Sequence, residues 1–572
     1  MVSMRDPAPF GFHGVDEMLR AVAEKHGTCV AFHEKKQGFY QHISYGRFLE
    51  ECEALCLMLA RLLPPTLRVL LVGKNGYHWA LSFLALLGGA GLPVLADSDT
   101  PAKEIDALAV RCEVSAVLCD TAVKARIKAP QGVAVIGFDE LEGLIAKGKA
   151  AIGAGELLTQ KGASAPEAPA AIFCVAKGVG ECELVTLTRK GVLATLHALG
   201  EAKTVSEQDI FLSVLSPSSL YECILGLLYP LSRGASIAFG EGVGSIMQNM
   251  REIHPTAMVC VPYLAERIFD KFWELVGERE AQVRRAIAIS DPVRPLFARQ
   301  ALKERLLAAA RAPFGGALRH LLVVGEPLPQ ALSKGLRQIG IFAVQCYGAA
   351  VGGGLVAMTT PTAYRDGTVG MPLPHVTLEI DQKQEDGSGE VVICGDALML
   401  DGEKNGTQAA TALCEGRYFT GDMGRIDSDG FLHIIGKKQN CIICADGTRI
   451  SPEEIEQMLM QSPLVREAVV VGIESDGGEG LVPAAMILPD AAYAKELGLE
   501  NGAGEALECA VYEWICEINK ALFPAAEILF FALSEAAFPR DNAGRVMRAS
   551  VADMLKAAKD GAVTLNEEEY GI

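Results

Sequence analysis

The sequence predicts an α/β protein: a large N-terminal domain of parallel α/β sheets with a small β-rich subdomain, followed by a small α+β C-terminal domain. Three observations predict it. Short apolar runs alternate with helical stretches as far as Cys346, the pattern of parallel sheets covered by helices. Around Asp366–Gly389 the texture turns to short alternating strands with Gly/Asp turns. Beyond Gly436 a compact mixture of strands and helices begins.

In chain order, Arg68–Gly73 reads as a buried strand ending in glycine, Trp79–Leu87 as helix, and Leu92–Leu95 and Ala116–Cys119 as strands. The run Trp79–Ala96 is uncharged and close to membrane-span length. Gly88, Gly89, Gly91 and Pro93 divide it into a helix end, a turn and a strand, so a buried α/β unit is expected and no integral membrane segment. Thr159–Ala171, rich in Ala, Pro, Gly and Ser, reads as a connector before a strand at Ile172-Phe173. Further strands are expected at Ala257–Val261, Leu321–Val324 and Ala343–Cys346. Val376–Ile380 and Glu390–Ile393 would belong to the β-rich subdomain, about 355–435. The large domain would then occupy 1–435 and the small one 436–572, with strands at Ala468–Val471, Ala484–Leu488 and Ile528–Ala532 and a helix through Tyr512–Leu522.

Composition narrows the partners. Among 572 residues, half are hydrophobic and 22% charged, enough to bury large cores. A formal net charge of −19 argues against nucleic acid or an anionic membrane, both of which demand clustered Lys/Arg. Asp6 and the lack of an apolar stretch near the N-terminus leave no signal peptide visible, and a cytoplasmic protein is expected. The 16 cysteines fit reduced, mostly buried thiols. Cys441 and Cys444 form a C-x-x-C, but no second pair or His cluster stands at zinc-ligand spacing.

The most specific stretch runs from Tyr418 to Glu456. An acidic turn, Thr420-Gly421-Asp422, leads into an alternating strand. A basic Gly436-Lys437-Lys438 turn follows, then a short apolar strand, Asp446-Gly447, and a helix opening at Ser451-Pro452-Glu453-Glu454. This order resembles the adenylate-forming ligase superfamily of acyl-CoA synthetases, luciferases and peptide-synthetase adenylation domains. Its texture is closest to the long-chain fatty-acid–CoA ligases. The spacing of fifteen residues from Asp422 to Lys437 agrees with that family. So do His254-Pro255-Thr256 with Val261-Pro262, Gly325-Glu326, Tyr347-Gly348 and Gly367–Pro372, and the resemblance covers nearly the whole chain.

The resemblance implies a chemistry. A carboxylic or fatty acid attacks the α-phosphate of ATP, giving an acyl-adenylate and pyrophosphate. A mobile C-terminal domain then turns, and the thiol of CoA or of an acyl-carrier protein's phosphopantetheine displaces AMP. By resemblance, Tyr347 with Gly348 would stack on adenine, Gly325 and Glu326 would line its other face, and Asp422 would accept from the ribose hydroxyls. Lys437 stands where the family has arginine, keeping the charge without the bidentate fork. Gln439 falls at the hinge, and Gly447 in the loop for thiol transfer.

The triphosphate half departs from the family pattern. Its glycine-rich, hydroxyl-bearing loop corresponds to Cys174–Leu184, where Glu183 takes the lysine position. Two unit charges about 4 Å apart at an effective dielectric near 20 interact by roughly 4 kcal/mol, so this reversal is costly toward a polyanion. Lys177, Gly178 and Gly180 offer a different anion nest. Val351 occupies the family's metal-ligating glutamate position and supports Mg²⁺ only weakly. Arg545 replaces the catalytic lysine. Two readings follow: an AMP-forming acid–thiol ligase with weakened ATP activation, or a degenerate relative that binds AMP, an acyl-adenylate, an acyl group or a partner protein.

Overall fold

The computed structural model describes residues 12–63, 68–156, 165–178, 181–277, 280–281, 283–284, 307–308, 311–349, 354–374, 376–384, 386–394, 413–414, 417–444, 449–474, 481–499, 505–522, 524–540, 546–558 and 563–564. By packing, the chain divides into two compact units. The first comprises Met1–Glu379, Val392–Thr420 and Asp427–Leu432; the second comprises Ile380–Val391, Gly421–Ile426 and His433–Ile572.

The first unit contains two large sheets. One has six strands in the order Ala134–Gly137, Ala116–Cys119, Arg68–Gly73, Leu92–Asp97, Pro169–Gly178 and Glu181–Thr188. The first five are parallel, and the sixth folds back antiparallel on the fifth. The other has nine strands. Its parallel middle runs Phe342–Ala349, His320–Val323, Ala257–Cys260, Ile210–Ser213, Ser236–Phe239 and Val30–Lys36. Antiparallel strands close its edges: Gly354–Met358 and Met371–Pro372 on one side, Phe39–Ser44 on the other.

Each parallel strand reads as a continuous apolar run because both faces are covered. Val69, Leu71 and Leu95 of the six-stranded sheet and Phe32, Phe211 and Val259 of the nine-stranded sheet share one core with the helices Val15–His26, Tyr45–Leu62 and Tyr77–Ala85. The opposite faces are covered separately. Ala102–Arg111 packs on Leu70, Val72 and Val94, and Pro262–Val276 and Gln330–Gln338 pack on the nine-stranded sheet.

The uncharged run Trp79–Ala96 resolves as expected into separate elements. Helix Tyr77–Ala85 is buried on every side, which explains its all-round hydrophobicity. It passes into a π-turn at Leu86–Ala90, where Gly89 takes φ +116° and ends the helix before strand Leu92–Asp97. Among the described residues no helix is long and apolar enough to cross a membrane. The connector reading of Thr159–Ala171 is corrected at its end: Pro169 already opens the strand, because its backbone enters the ladder opposite Thr188.

A five-stranded sheet joins Thr377–Asp381, Gly389–Cys394, Arg417–Ile426 and Leu413–Cys414, with Leu432–Lys437 on Arg417–Ile426. In the second unit, Val465–Glu474, Leu481–Pro489, Phe530–Leu533 and Val563–Thr564 form a four-stranded sheet. Val470, Ile487 and Phe531 on one face pack on helices Pro452–Leu459 and Glu505–Asn519. Val471, Ala484 and Met486 on the other face pack on Arg548–Ala558. Glu456 anchors this unit from helix Pro452–Leu459: it receives Val470 N at 2.6 Å and Arg548 at 2.5 and 2.8 Å.

Candidate active site

In open parallel sheets, ligands bind beyond the carboxyl ends of the strands. In the first unit, Gly325 and Glu326 follow strand His320–Val323, and Tyr347 and Gly348 lie near the end of its neighbour Phe342–Ala349. Both pairs therefore stand at the carboxyl edge of the nine-stranded sheet. Gly325 takes φ +98°, a conformation that a side chain would strain, and Gly325 and Glu326 are exposed. Tyr347 is half-buried against Val356, Ile393 and Tyr418. A bulge follows it, and a Cβ on Gly348 would lie 2.0 Å from Gly354 O, so only glycine fits there. The Tyr221 hydroxyl donates to Gly348 O at 2.7 Å and fixes this turn of the backbone from another element.

A polar chain with no counterpart in the sequence reading links the carboxyl ends of one strand from each large sheet. Asn75 follows strand Arg68–Gly73, and its amide donates to Ser213 Oγ at 2.6 Å; Ser213 in turn donates to the Glu222 carboxyl. Glu222 is 3% exposed and begins the π-helix Glu222–Leu228. Burial pushes its carboxyl up to about 8, against the opposing effect of the Ser213 hydrogen bond. Ser216, in the segment ahead of this helix, donates to Asp97 and pairs with Ser218 at 2.9 Å. Nothing in the local sequence brings residues 75, 213 and 222 together.

Cys174–Leu184 is not an open loop along its length. Strands Pro169–Gly178 and Glu181–Thr188 pair through Cys174–Leu184, Val175–Glu183, Ala176–Cys182 and Gly178–Glu181. Cross-strand partners share a face. Cys174, Cys182 and Leu184 face the core that contains helix Ala102–Arg111, while Val175, Val185 and Leu187 face the shared core between the sheets. Glu183 lies on the latter face and is only 6% exposed. Lys177 and Gly178 close the first strand; of Lys177 only the backbone is described. Gly180, Val351, Gly447 and Arg545 lie outside the described residues.

In the second unit the structure brings Asp422 and Lys437 together. The expected acidic turn at Thr420-Gly421-Asp422 is instead part of strand Arg417–Ile426. Gly421 has φ +70° but its N–H still finds an acceptor, Glu390 Oε1 at 3.1 Å, so the ladder accommodates the irregularity. Asp422 is 5% exposed, and the Lys437 ammonium donates to its carboxylate. Lys438 does the same for Glu390, which is also buried. The expected basic turn is divided: Gly436 and Lys437 end strand Leu432–Lys437, and Lys438–Asn440 form a single 3₁₀ turn with Gln439 exposed. A Cβ on Gly436 would press on Ser451 Oγ and Glu453 Oε2, so a side chain there would displace both of these groups of the helix start.

These residues differ in what they suit. Tyr347 offers a ring and Asp422 a buried carboxylate that accepts from hydroxyls, the groups an adenosine requires. The hairpin offers a buried carboxylate, unsuited to a triphosphate. Among the described residues no three His, Cys, Asp or Glu side chains converge as metal ligands.

Comparison with known proteins gives a consistent assignment. The AMP-binding enzyme family matches residues 19–401, and the AMP-binding enzyme C-terminal domain matches residues 439–561. The long-chain-fatty-acid–CoA ligase FadD15 of Mycobacterium tuberculosis is 24% identical over 440 residues, covering 71% of each chain. Two solved structures share the fold. ATP-bound MatB from Rhodopseudomonas palustris superposes with a TM-score of 0.72 at 17% identity, covering 95% of this chain and 99% of that one. The o-succinylbenzoate CoA synthetase MenE of Bacillus subtilis, with its acyl-adenylate intermediate, gives 0.67 at 16% identity, covering 93% and 97%. The chain belongs to the AMP-binding enzyme family, within the adenylate-forming ligase superfamily and close to the acyl-CoA synthetases.

Proposed function

We propose that this member of the family binds an adenylate and passes its acyl group to a thiol, while activating free acids with ATP only weakly. The observation that carries this reading is Glu183. A carboxylate stands on the hairpin rung opposite Val175 where the family places a phosphate-binding lysine. Replacing attraction by repulsion at such a site removes several kcal/mol from triphosphate binding. The nucleoside-facing residues carry no such reversal.

In this reading Tyr347 stacks on adenine, with Gly325, Glu326 and Gly348 lining the base, and Asp422 accepts from the ribose hydroxyls. Asp422 has two oxygens, so it can keep Lys437 on one and take the ribose on the other. Lys437 holds the carboxylate in place. The acyl group is that of a carboxylic or fatty acid. A thiolate of CoA or a carrier protein attacks the acyl carbonyl carbon, the carbonyl–phosphate C–O bond breaks, and AMP leaves. Turning of the 436–572 domain about Gln439, with Gly447 entering beside the thiol, would separate this step from adenylation. Arg545 would offer charge at the family's lysine position, and Lys177, Gly178 and Gly180 a reduced anion nest.

Two assays run side by side test the proposal. Acid-dependent ATP–pyrophosphate exchange across a fatty-acid panel is expected to be weak or absent. Thioester formation from a supplied acyl-adenylate and CoA is expected to proceed, with AMP as competitor. Robust exchange overturns the weakened activation. Failure to bind AMP or to use the acyl-adenylate overturns the transfer role. That second failure would favour the degenerate reading, a partner or regulatory subunit, which the combined changes at Glu183, Val351 and Arg545 also support.

A further inference from the structure

The hairpin carries a second chemistry on its other face. Cys174 lies opposite Leu184 and Cys182 opposite Ala176, so the two cysteines form a diagonal cross-strand pair on one face. Both are half-buried and free, and the Cys174 thiol is hydrogen-bonded to the Cys182 sulfur. Arg111, the last residue of helix Ala102–Arg111, reaches across from the covering layer. Its guanidinium donates to Cys182 O at 3.0 Å and lies 3.6 Å from Cys182 Sγ. A thiol with a donor on one side and a guanidinium on the other is set to ionise.

We propose that Cys174 and Cys182 form a thiol–disulfide redox site, with Cys182 as the reacting thiolate, Cys174 as the resolving thiol and Arg111 as the positioning cation. The groups facing Cys182 pull in both directions, and those that favour the thiolate prevail. The Cys174 hydrogen bond and Arg111 favour the thiolate, whereas burial and Glu104 oppose it, and the thiol is pushed down to about 6. Cys174 moves the other way, raised by the same hydrogen bond, by burial and by Cys182 and Cys112.

The oxidant is a hydroperoxide. The Cys182 thiolate attacks its distal oxygen, the O–O bond breaks, and the departing oxygen takes a proton from water. Cys182 is now a sulfenic acid. Cys174 gives up its proton, and its sulfur attacks the Cys182 sulfur. The S–O bond breaks, and the hydroxide leaves with that proton as water. Two electrons pass from the dithiol to the peroxide, and a dithiol reductant reverses the change. Diagonal pairs stand about 7–8 Å apart between Cα atoms, just beyond the ordinary reach of a disulfide. Closing the bond therefore draws the strands together, and a bond closed against that spacing opens readily to reductant.

The full-length protein, treated with hydrogen peroxide and digested without reductant, should yield the Cys174 and Cys182 peptides joined, lighter by two hydrogens and separated by dithiothreitol. At pH about 5.5, iodoacetamide should alkylate Cys182 roughly ten- to twentyfold faster than the exposed Cys29 and Cys509, after allowing for the lower nucleophilicity of a low-pKa thiolate. Arg111→Gln should raise the midpoint of the alkylation profile while the protein remains folded. Cys174→Ser should stop at a sulfenic acid that dimedone traps. The proposal is overturned if no Cys174–Cys182 link forms, or if Cys182 reacts at pH about 5.5 no faster than Cys29 and Cys509.

Discussion

The hairpin Pro169–Gly178/Glu181–Thr188 and the strand Arg417–Ile426 each bury a carboxylate, Glu183 in one and Asp422 in the other. In the strand Lys437 counters the acid. In the hairpin, on the proposed reading, the acid stands where a phosphate-binding cation would serve. The ladder survives either way, because backbone hydrogen bonds make the rungs and the alternating side chains only choose a face. A sheet can therefore keep its geometry while a site on it reverses its charge. The two units are also held differently. In the first, the buried carboxylate of Asp209 pairs with an Arg319 whose side chain is 49% exposed, whereas in the second Glu456 pairs with an Arg548 that is only 22% exposed.

That contrast can be broken at its strongest point. Arg548→Met removes the cation and leaves the Glu456 carboxyl buried. Loss of one partner of such a pair costs roughly 3–5 kcal/mol. Denaturant melting should show the second unit unfolding early while the first keeps its transition. Adding Glu456→Leu should recover part of the loss. A single unchanged transition in Arg548→Met would mean that the pair does not hold the second unit.

Charge on the hairpin is the next lever. On the proposed reading, Glu183→Lys combined with Val351→Glu and Arg545→Lys would return a phosphate-facing cation, a metal ligand and a catalytic lysine. One preorganised electrostatic group is worth about 10²–10³ in rate, so ATP–pyrophosphate exchange should rise by at least that factor. A folded triple variant that stays inert would show that the reversal at Glu183 is not what limits activation.

The smallest effect concerns pH. Glu222 in the first unit has a folded-state value of about 8, above the ordinary 4.5, so its contribution is lost as pH rises between those values. His33 runs the other way. Burial lowers it to about 4, so stability falls as pH drops from 6.5 toward 4. The two oppose each other up to about pH 6.5, and above it Cys182, pushed down to about 6, takes over the opposing role, since a lowered thiol adds stability as pH rises. The Glu222 share is a loss of about 2 kcal/mol from pH 6.5 to 8, at roughly 1.4 kcal/mol per pKa unit. Glu222→Gln should remove that share in thermal melts and turn the slope of the first unit upward. A slope unchanged in the variant would assign the loss to another group.

Much of the fold was legible because strands buried on both faces leave continuous apolar runs, as Arg68–Gly73 and Ala116–Cys119 show. The Trp79–Ala96 run was legible for a different reason: its clustered glycines and Pro93 disfavour one continuous helix. The Thr420-Gly421-Asp422 segment misled because Gly followed by Asp is turn chemistry, whereas here the segment lies in a paired strand with Gly421 N–H bonded to Glu390. The Asn75–Ser213–Glu222 chain was invisible, since Asn75 lies 138 residues before Ser213 and no local pattern links Ser213 to Glu222.

By itself the sequence determined the family and the α/β class, since each depends on local patterns and residue types in order. Only the tertiary structure decided which charges meet. It set Lys437 on Asp422 and Lys438 on Glu390, buried Glu222 beneath Ser213, and laid Cys174 beside Cys182 under Arg111. The physical reason is that strand pairing and helix packing bring distant residues into contact. The free energy of a charge depends on those neighbours and on how much water they exclude.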